Sequence, residues 1–246
     1  QDYEDMRAVY FGLIAEVDHQ IGRIIDHLKA TGEYENTLII FTSDHGEMLG
    51  RKGLWFKMNF FEGAARVPLM IAAPGLTPGL VTTPVSTIDL TPTLCDLAGI
   101  SMEAVMPWTD GESLVPLAKG TERTSPVAME YAAEGTITPM VCLRQGAWKY
   151  IHCPADPDML FEVAGDPEET TNLADDPRVA EVLAHFRGLA QARWDLAAYD
   201  AEVRQSQARR WVVYEALRNG NYYPWDYQPL RAASERYMRN HMNLDT

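Results

Sequence analysis

Asp44 and His45 are adjacent residues whose side chains could together bind a divalent cation. They follow the apolar, β-rich run 37–43, and Gly46 comes directly after them. Past the carboxyl end of a buried strand, both side chains can reach the crevice above a sheet, and a glycine lets the chain turn away. A carboxylate beside a neutral imidazole is a sensible partial ligand set. Ordinary turns contain the same triplet, however, and two ligands do not complete a metal site.

Lys57 lies among aromatic residues, and two interpretations of it are open. A lysine with apolar neighbours commonly extends its charged end into solvent. Alternatively, its compact ammonium contacts an anion and damps charge on a leaving oxygen. Glu62 and Arg66 have the i, i+4 spacing of a surface ion pair. Glu134 lies near the end of a predicted strand, where an exposed loop is the simpler interpretation.

The elements that would position Asp44 and His45 are a long helix and a buried strand. Apolar residues recur at three- and four-residue spacing from Met6 to Leu28, which predicts a helix with one buried face. Gly32 supplies the stop. The run 37–43 is apolar on both faces and predicts a central strand of a parallel sheet. Together they predict an α/β fold.

Further elements follow in the same part of the chain. A second buried strand is expected at 67–73. The segment 86–99 is expected to be a helix, with Thr87 or Asp89 as its N-cap and Gly99 as its C-terminal stop. We therefore assign residues 1–125 to one α/β domain.

The pattern changes near residue 125 to short alternating runs. Strands of a small antiparallel sheet are expected at 127–131, 139–144 and 148–153, followed by a helix at 179–198. Residues 126–198 thus form a small α+β subdomain in this prediction. The remainder, 199–246, is an aromatic tail that we expect to lie against its own domain or a neighbouring subunit.

Composition excludes several classes of protein. The chain has 246 residues, 46% of them hydrophobic, and a formal net charge of −14. The balance of hydrophobic and charged residues is that of a globular protein. No apolar stretch approaches the ~18 residues of a membrane span, and so acidic a surface repels nucleic acid. Cys95, Cys142 and Cys153 fit no disulfide or zinc spacing, which favours reduced thiols and a cytoplasmic location.

The order of these motifs resembles the second half of a type I sulfatase of the alkaline-phosphatase superfamily. The resemblance covers residues 1 to about 190. The tail is similar to the C-terminal extension of choline sulfatases. The segments that carry both likenesses are 36–46, Lys57, 62–63, 66–68, 89–94, 98–99, 160–162, 166–167, 172–174, 206–213, 222–226 and 234–241.

The resemblance implies roles for three residues. Asp44 and His45 match the metal pair that follows the family's strand, with Ca²⁺ as the expected ion and Mn²⁺ or Mg²⁺ as alternatives. Lys57 matches the lysine that contacts the sulfate and its leaving oxygen. The family's nucleophile is a formylglycine made from a Cys-x-Pro-x-Arg or Ser-x-Pro-x-Arg motif, and neither motif occurs here. We therefore expect the nucleophile in an upstream half and an inactive isolated chain.

Choline sulfate is the substrate that the tail implies. A quaternary ammonium has no hydrogen-bond donor and is held by aromatic faces and carboxylates. Glu134, Tyr223, Trp225 and Asp245 are the candidate contacts with choline.

Other interpretations remain open at this point. The chain could be half of an arylsulfatase or phosphonate monoester hydrolase, or a catalytically inactive assembly module. Expected partners are the small sulfate ester, the missing N-terminal half and further copies of the protein bound through the tail. No nucleic acid or membrane partner is expected.

Overall fold

The structure is a computed structural model that describes residues 2–220. The chain divides into two units, 1–200 and 201–246. The helices are α1 (Asp2–Thr31), α2 (Glu62–Ala65), α3 (Leu90–Leu97), α4 (Met102–Val105), α5 (Val115–Ala118), α6 (Ala180–Arg193) and α7 (Leu196–Arg218). The strands are β1 (Ile39–Thr42), β2 (Leu69–Ala72), β3 (Val127–Tyr131), β4 (Met140–Gln145), β5 (Trp148–His152) and β6 (Met159–Glu162). No helix within 2–220 has the length and apolar character needed to cross a membrane.

Helix α1 forms where the apolar spacing predicts it, and Gly32 follows it with a φ of +75°. The expected buried face is wrong for the described chain, because no residue of α1 is buried. The helix contacts the rest of its unit near its N-terminus, where Tyr3 stacks on Trp55 and Arg7 donates to the Leu49 carbonyl. Periodicity identifies the apolar face of a helix but not what covers it. The large exposed apolar residues are Tyr3, Met6, Val9, Phe11, Leu13, Ile14, Val17 and Ile24.

Strand β1 was expected in a parallel sheet, and that prediction is wrong for its observed pairing. Among the described residues β1 pairs only with β2, in the antiparallel direction, with Phe41 opposite Met70. All four β1 residues are half-buried. An apolar run indicates burial but carries no information on the direction of the neighbouring strand. The connection between the strands holds only short helical turns, and an antiparallel pair needs no crossover helix.

The predicted helix at 86–99 begins with a 3₁₀ turn, Thr87–Asp89, before α3. The side-chain cap is Ser86 rather than Thr87 or Asp89. Its hydroxyl accepts from the Ile88 amide, and the Asp89 carboxylate accepts from the Ser86 amide at 2.8 Å. This reciprocal capping box satisfies two amides at once. Gly99, with a φ of +68°, ends the segment as predicted.

The second sheet is an antiparallel meander in the order β3–β4–β5–β6. Its first three strands confirm the prediction, whereas β6 was not predicted as a strand. The helix expected at 179–198 is interrupted at Trp194, whose backbone is extended, and so α6 and α7 are separate. One face of the sheet packs on α6 through Leu143, Tyr150, Leu160, Leu183, Phe186 and Ala190. The other face buries Phe60, Cys142, Ile151, Phe161 and Val163, which brings the segment before α2 onto the sheet.

Candidate functional site

Asp44 and His45 lie just past the end of β1, as the sequence predicts. His45 Nε2 is 3.5 Å from Asp44 Oδ2, so the two side chains converge. The His45 amide donates to Asp44 Oδ1 at 2.9 Å, and this hydrogen bond lowers the pKa of the Asp44 carboxyl below its ordinary value. The Asp44 side chain is 83% exposed. Asp44 is therefore an ionised, accessible carboxylate beside an imidazole.

Lys57 reaches the same place from the following loop. Its Nζ is 2.7 Å from His45 Nε2, while His45 Nδ1 is 2.8 Å from the Gly46 carbonyl oxygen. A carbonyl only accepts, so Nδ1 carries the proton and Nε2 presents its lone pair to the ammonium. The Lys57 ammonium thus lies beside His45 and does not point away from the pair. The structure brings Asp44, His45 and Lys57 together.

Glu47 closes the loop that carries Lys57. Its Oε1 accepts from the Phe56 amide at 2.6 Å and from the Leu49 amide at 3.2 Å. Phe56 has a φ of +65°, a conformation that non-glycine residues rarely adopt. The hydrogen bond to Glu47 therefore holds a strained backbone position next to Lys57. The sequence prediction did not include Glu47, although it follows Asp44 and His45 by only a few positions.

Gly46 is required by a close backbone approach. A Cβ at this position would lie 2.1 Å from the Gly63 carbonyl oxygen, and the Gly46 amide donates to the Ala64 carbonyl at 2.7 Å. The loop after β1 thus lies directly on α2. The orientation of His45, the residue before Gly46, depends on where α2 is held.

Glu62 corrects the expected ion pair with Arg66. Its carboxylate pairs instead with Lys149 of β5, and Lys149 also donates to Glu169 Oε1 at 2.8 Å. Lys149 and Glu169 are 1% and 3% exposed. Sequence reasoning missed this cluster because its members are far apart along the chain.

Glu134 lies in the exposed loop after β3. The Tyr131 hydroxyl donates to its carbonyl at 2.8 Å. Its carboxylate is not brought to Asp44, His45 or Lys57 by any contact among the described residues. Tyr223, Trp225 and Asp245 lie outside the described residues.

The donor set of Asp44 and His45 fits a divalent cation in part. A carboxylate oxygen and an imidazole nitrogen lie side by side and accessible, which suits Ca²⁺, Mn²⁺ or Mg²⁺ through the oxygen ligand. No group of three or more His, Cys, Asp or Glu side chains suited to a metal occurs within 2–220. A complete site would need ligands in addition to these two.

Comparison with known proteins gives matches that together cover nearly all of this chain. A family model described as Sulfatase matches residues 1–100, and one described as Choline sulfatase enzyme C terminal matches 201–246. The choline-sulfatase of Rhizobium meliloti (strain 1021) is 62% identical over 98% of this chain and 48% of its own length. Arylsulfatase K of Xenopus laevis is 31% identical over 90% of this chain and 43% of its own length. The chain spans about half the length of the curated relatives it matches.

Solved structures agree on the fold. A phosphonate monoester hydrolase from Silicibacter pomeroyi has a TM-score of 0.65 and 38% identity, over 76% of this chain and 40% of its own. The phosphonate monoester hydrolase of Agrobacterium radiobacter has a TM-score of 0.62 and 33% identity, over 81% of this chain and 41% of its own. The mixed helices and sheets described above thus resemble about two fifths of the fold of each of these enzymes.

Proposed function

Because this chain is a homologue of the choline sulfatases within the sulfatase family, we propose that it is the C-terminal half of an enzyme that hydrolyses choline sulfate to choline and sulfate. The observation that carries the proposal is the convergence of Asp44, His45 and Lys57 after β1. The match of residues 201–246 to a choline sulfatase C-terminal model supports the choice of substrate.

In this proposal Asp44 and His45 supply part of a divalent cation site, with Ca²⁺ as the expected ion. The bound cation supplies positive charge beside the sulfate ester. The hydrogen bond from the His45 amide lowers the pKa of the Asp44 carboxyl, which favours the ionised form that a cation binds. The hydrogen bond from His45 Nδ1 to the Gly46 carbonyl fixes the ring so that Nε2 faces the site.

Lys57 has the electrostatic role. Its ammonium is exposed and lies next to His45 Nε2, within reach of an anion at the same place. A positive charge there stabilises negative charge that develops on the sulfate and the leaving oxygen. The nucleophile, a formylglycine, belongs to the upstream half in this proposal.

The upstream half is the partner that we propose for helix α1. Side chains such as Met6, Leu13 and Val17 are about half exposed or more. Contiguous apolar surface of this kind marks an interaction site. The curated relatives are about twice as long as this chain, and their additional polypeptide could cover this apolar face of α1. Alone, the chain is expected to be inactive and to aggregate or oligomerise.

Choline recognition is assigned to Glu134, Tyr223, Trp225 and Asp245. Aromatic faces and carboxylates together suit a cation that donates no hydrogen bond. The tail, 199–246, is also the proposed contact between copies of the enzyme, in the cytoplasm. Gel filtration of the intact enzyme with and without 199–246 checks this role, since an interface predicts loss of the oligomer on truncation.

The test of the function is a substrate panel on the intact enzyme, in which this chain is preceded by its upstream half. Choline sulfate should be hydrolysed with a kcat/KM roughly a hundredfold above that for an aryl sulfate or a phosphonate monoester. The chain without its upstream half is the control and should hydrolyse none of them. Preference for another ester in the panel would reject the choline assignment but keep the hydrolase.

The principal alternative is a phosphonate monoester hydrolase half. The similarity to two such enzymes, at 33% and 38% identity, favours it, whereas the match of the tail to the choline sulfatase model does not. Hydrolysis of no ester by the intact protein would instead favour an inactive assembly module.

A further inference from the structure

Lys149, Glu62 and Glu169 form a buried charge cluster between α2 and the antiparallel sheet. Lys149 Nζ donates to Glu169 Oε1 at 2.8 Å and to the Phe60 carbonyl at 2.9 Å, and it pairs with the Glu62 carboxylate. Glu169 Oε2 accepts from the Glu62 amide at 2.7 Å. The ammonium thus donates to three oxygens, two of them from the segment 60–62. Lys149 and Glu169 are almost closed to solvent, and the Glu62 side chain is 14% exposed.

Stability alone is a weak explanation for such a cluster. Taking charges out of water is costly, and apolar residues of similar volume often serve a fold as well or better. Glu169 also has a φ of +53°, which side chains other than glycine rarely tolerate. A second contact holds it there, because Lys52 Nζ donates to the Glu169 carbonyl. The buried charges and the strained backbone conformation of Glu169 therefore occur in the same cluster.

The cluster is connected to the candidate site through α2. Glu62 is the first residue of α2, and the carbonyl of Ala64, the third, accepts from the Gly46 amide at 2.7 Å. A Cβ on Gly63 would lie 2.9 Å from Met48 Sδ, and Met48 is 1% exposed. The backbone of 46–48 is therefore packed on α2 with no spare space. Any shift of α2 moves Gly46, and with it the carbonyl that orients His45.

We propose that Lys149, Glu62 and Glu169 are positioning residues for Asp44 and His45. By fixing α2 against the sheet, the cluster sets the position of the loop after β1 and hence the direction of the His45 ring. The inference rests on the proposed function for its catalytic consequence. Its structural part, the control of the 45–48 backbone by a contact from β5, does not depend on any activity.

The test uses Lys149→Met and Glu169→Gln, with Arg193→Met as the matched control. Arg193 also pairs with a carboxylate, that of Asp110 at 2.6 Å, but both side chains are exposed. Hydrogen exchange of the intact enzyme should show the Gly46 and Met48 amides exchanging at least tenfold faster in the two cluster variants. Amides of α6 should change by less than threefold, and Arg193→Met should resemble the unchanged protein.

A second measurement addresses the catalytic consequence. In the intact enzyme, calorimetric Ca²⁺ affinity should fall at least tenfold in Glu169→Gln while the circular dichroism spectrum stays unchanged. A merely structural cluster would lower the melting temperature and speed exchange equally throughout the fold, with Ca²⁺ affinity of the folded protein unaltered. That result would overturn the proposal, and Glu169→Gln decides it where Lys149→Met does not fold.

The two proposals fail in different ways. An intact enzyme that binds no Ca²⁺ and hydrolyses no sulfate ester rejects the proposed function, whereas the local exchange effect at Gly46 and Met48 still supports positioning. Normal activity with unchanged exchange at these amides rejects positioning alone.

Discussion

Lys57 Nζ and His45 Nε2 lie 2.7 Å apart, at the atom of the imidazole that a metal ion would also use. The opposite nitrogen donates to the Gly46 carbonyl, so the lone pair of the ring is on Nε2 and faces the Lys57 ammonium. The proposed cation site and the proposed anion contact of Lys57 therefore meet at His45 Nε2. Substitutions at either Asp44 or Lys57 should change the catalytic rate.

Lys57→Met should reduce kcat of the intact enzyme about 10²- to 10³-fold, because one positive charge is lost where negative charge develops. Steady-state kinetics with choline sulfate measure the effect. Lys119→Met, which removes an exposed lysine outside the site, is the control and should leave kcat unchanged. A kcat within twofold of the unchanged enzyme for Lys57→Met would remove this residue from the proposed mechanism.

Gly46→Ala should destabilise the intact enzyme by about 1–3 kcal/mol, because the new Cβ meets a backbone oxygen that cannot rotate away. The clash is with the Gly63 carbonyl, at 2.1 Å before relaxation. Urea unfolding followed by circular dichroism measures the change. Gly188→Ala is the matched control: it lies in α6 with open space around it, and alanine there should stabilise by up to about 1 kcal/mol. Equal midpoints for the two variants would contradict the close approach.

Asp158 should make the fold sensitive to acid. Burial opposes its ionisation, but hydrogen bonds from His152, Arg187 and Tyr150 outweigh that effect and hold the pKa of the carboxyl below its ordinary value. A carboxyl with a lowered folded pKa stabilises above its unfolded pKa of about 3.9, and this contribution is lost as the pH falls through the folded pKa. Stability should therefore fall below about pH 4.

Asp158→Asn tests this acid response by urea unfolding between pH 7 and pH 3. It should be about 1–3 kcal/mol less stable at pH 7, because hydrogen bonds to a charged acceptor are lost, and its stability should fall less steeply in acid. Asp156→Asn, at an exposed position of the same loop, is the control and should follow the unchanged protein. Parallel pH profiles for all three proteins would show that Asp158 is not responsible.

Cys142 should resist alkylation in the folded chain. It is completely buried in β4, and burial raises the pKa of its thiol to about 12. The reactive species is the thiolate, which is scarce at pH 8 for such a thiol. Mass spectrometry after iodoacetamide treatment should find Cys142 unmodified in buffer and fully modified in urea. Rapid modification in buffer would mean that β4 opens readily.

The sequence predicts local features of this chain well. Gly32 and Gly99 end their helices as expected, because a left-handed stop is a property of one residue and its neighbours. The strands from Val127 to His152 follow from alternation and a Gln145–Gly146 turn. Asp44, His45 and Lys57, which converge in the structure, are also close together in the sequence. The family resemblance implied a role for each of them.

Long-range contacts account for what was missed. Lys149 reaches the Phe60 carbonyl across 89 residues, and Glu169 reaches the Glu62 amide across 107. No periodicity encodes such pairings. Residue type and spacing are even misleading here. Arg66 follows Glu62 at helical spacing, but Glu62 pairs with Lys149 instead. The direction of β2 relative to β1 likewise depends on the path of the connecting loop.

The order of strands in the meander has a kinetic consequence. Each strand from β3 to β6 pairs with the next one along the chain, so forming this sheet closes only short loops. Local topology of this kind favours fast folding. The segment 127–193 is therefore expected to form first, leaving Lys149 in place before α2 arrives from more than 80 residues upstream. Pulse-labelling during refolding should protect amides of β4 and β5 before those of β1 and β2.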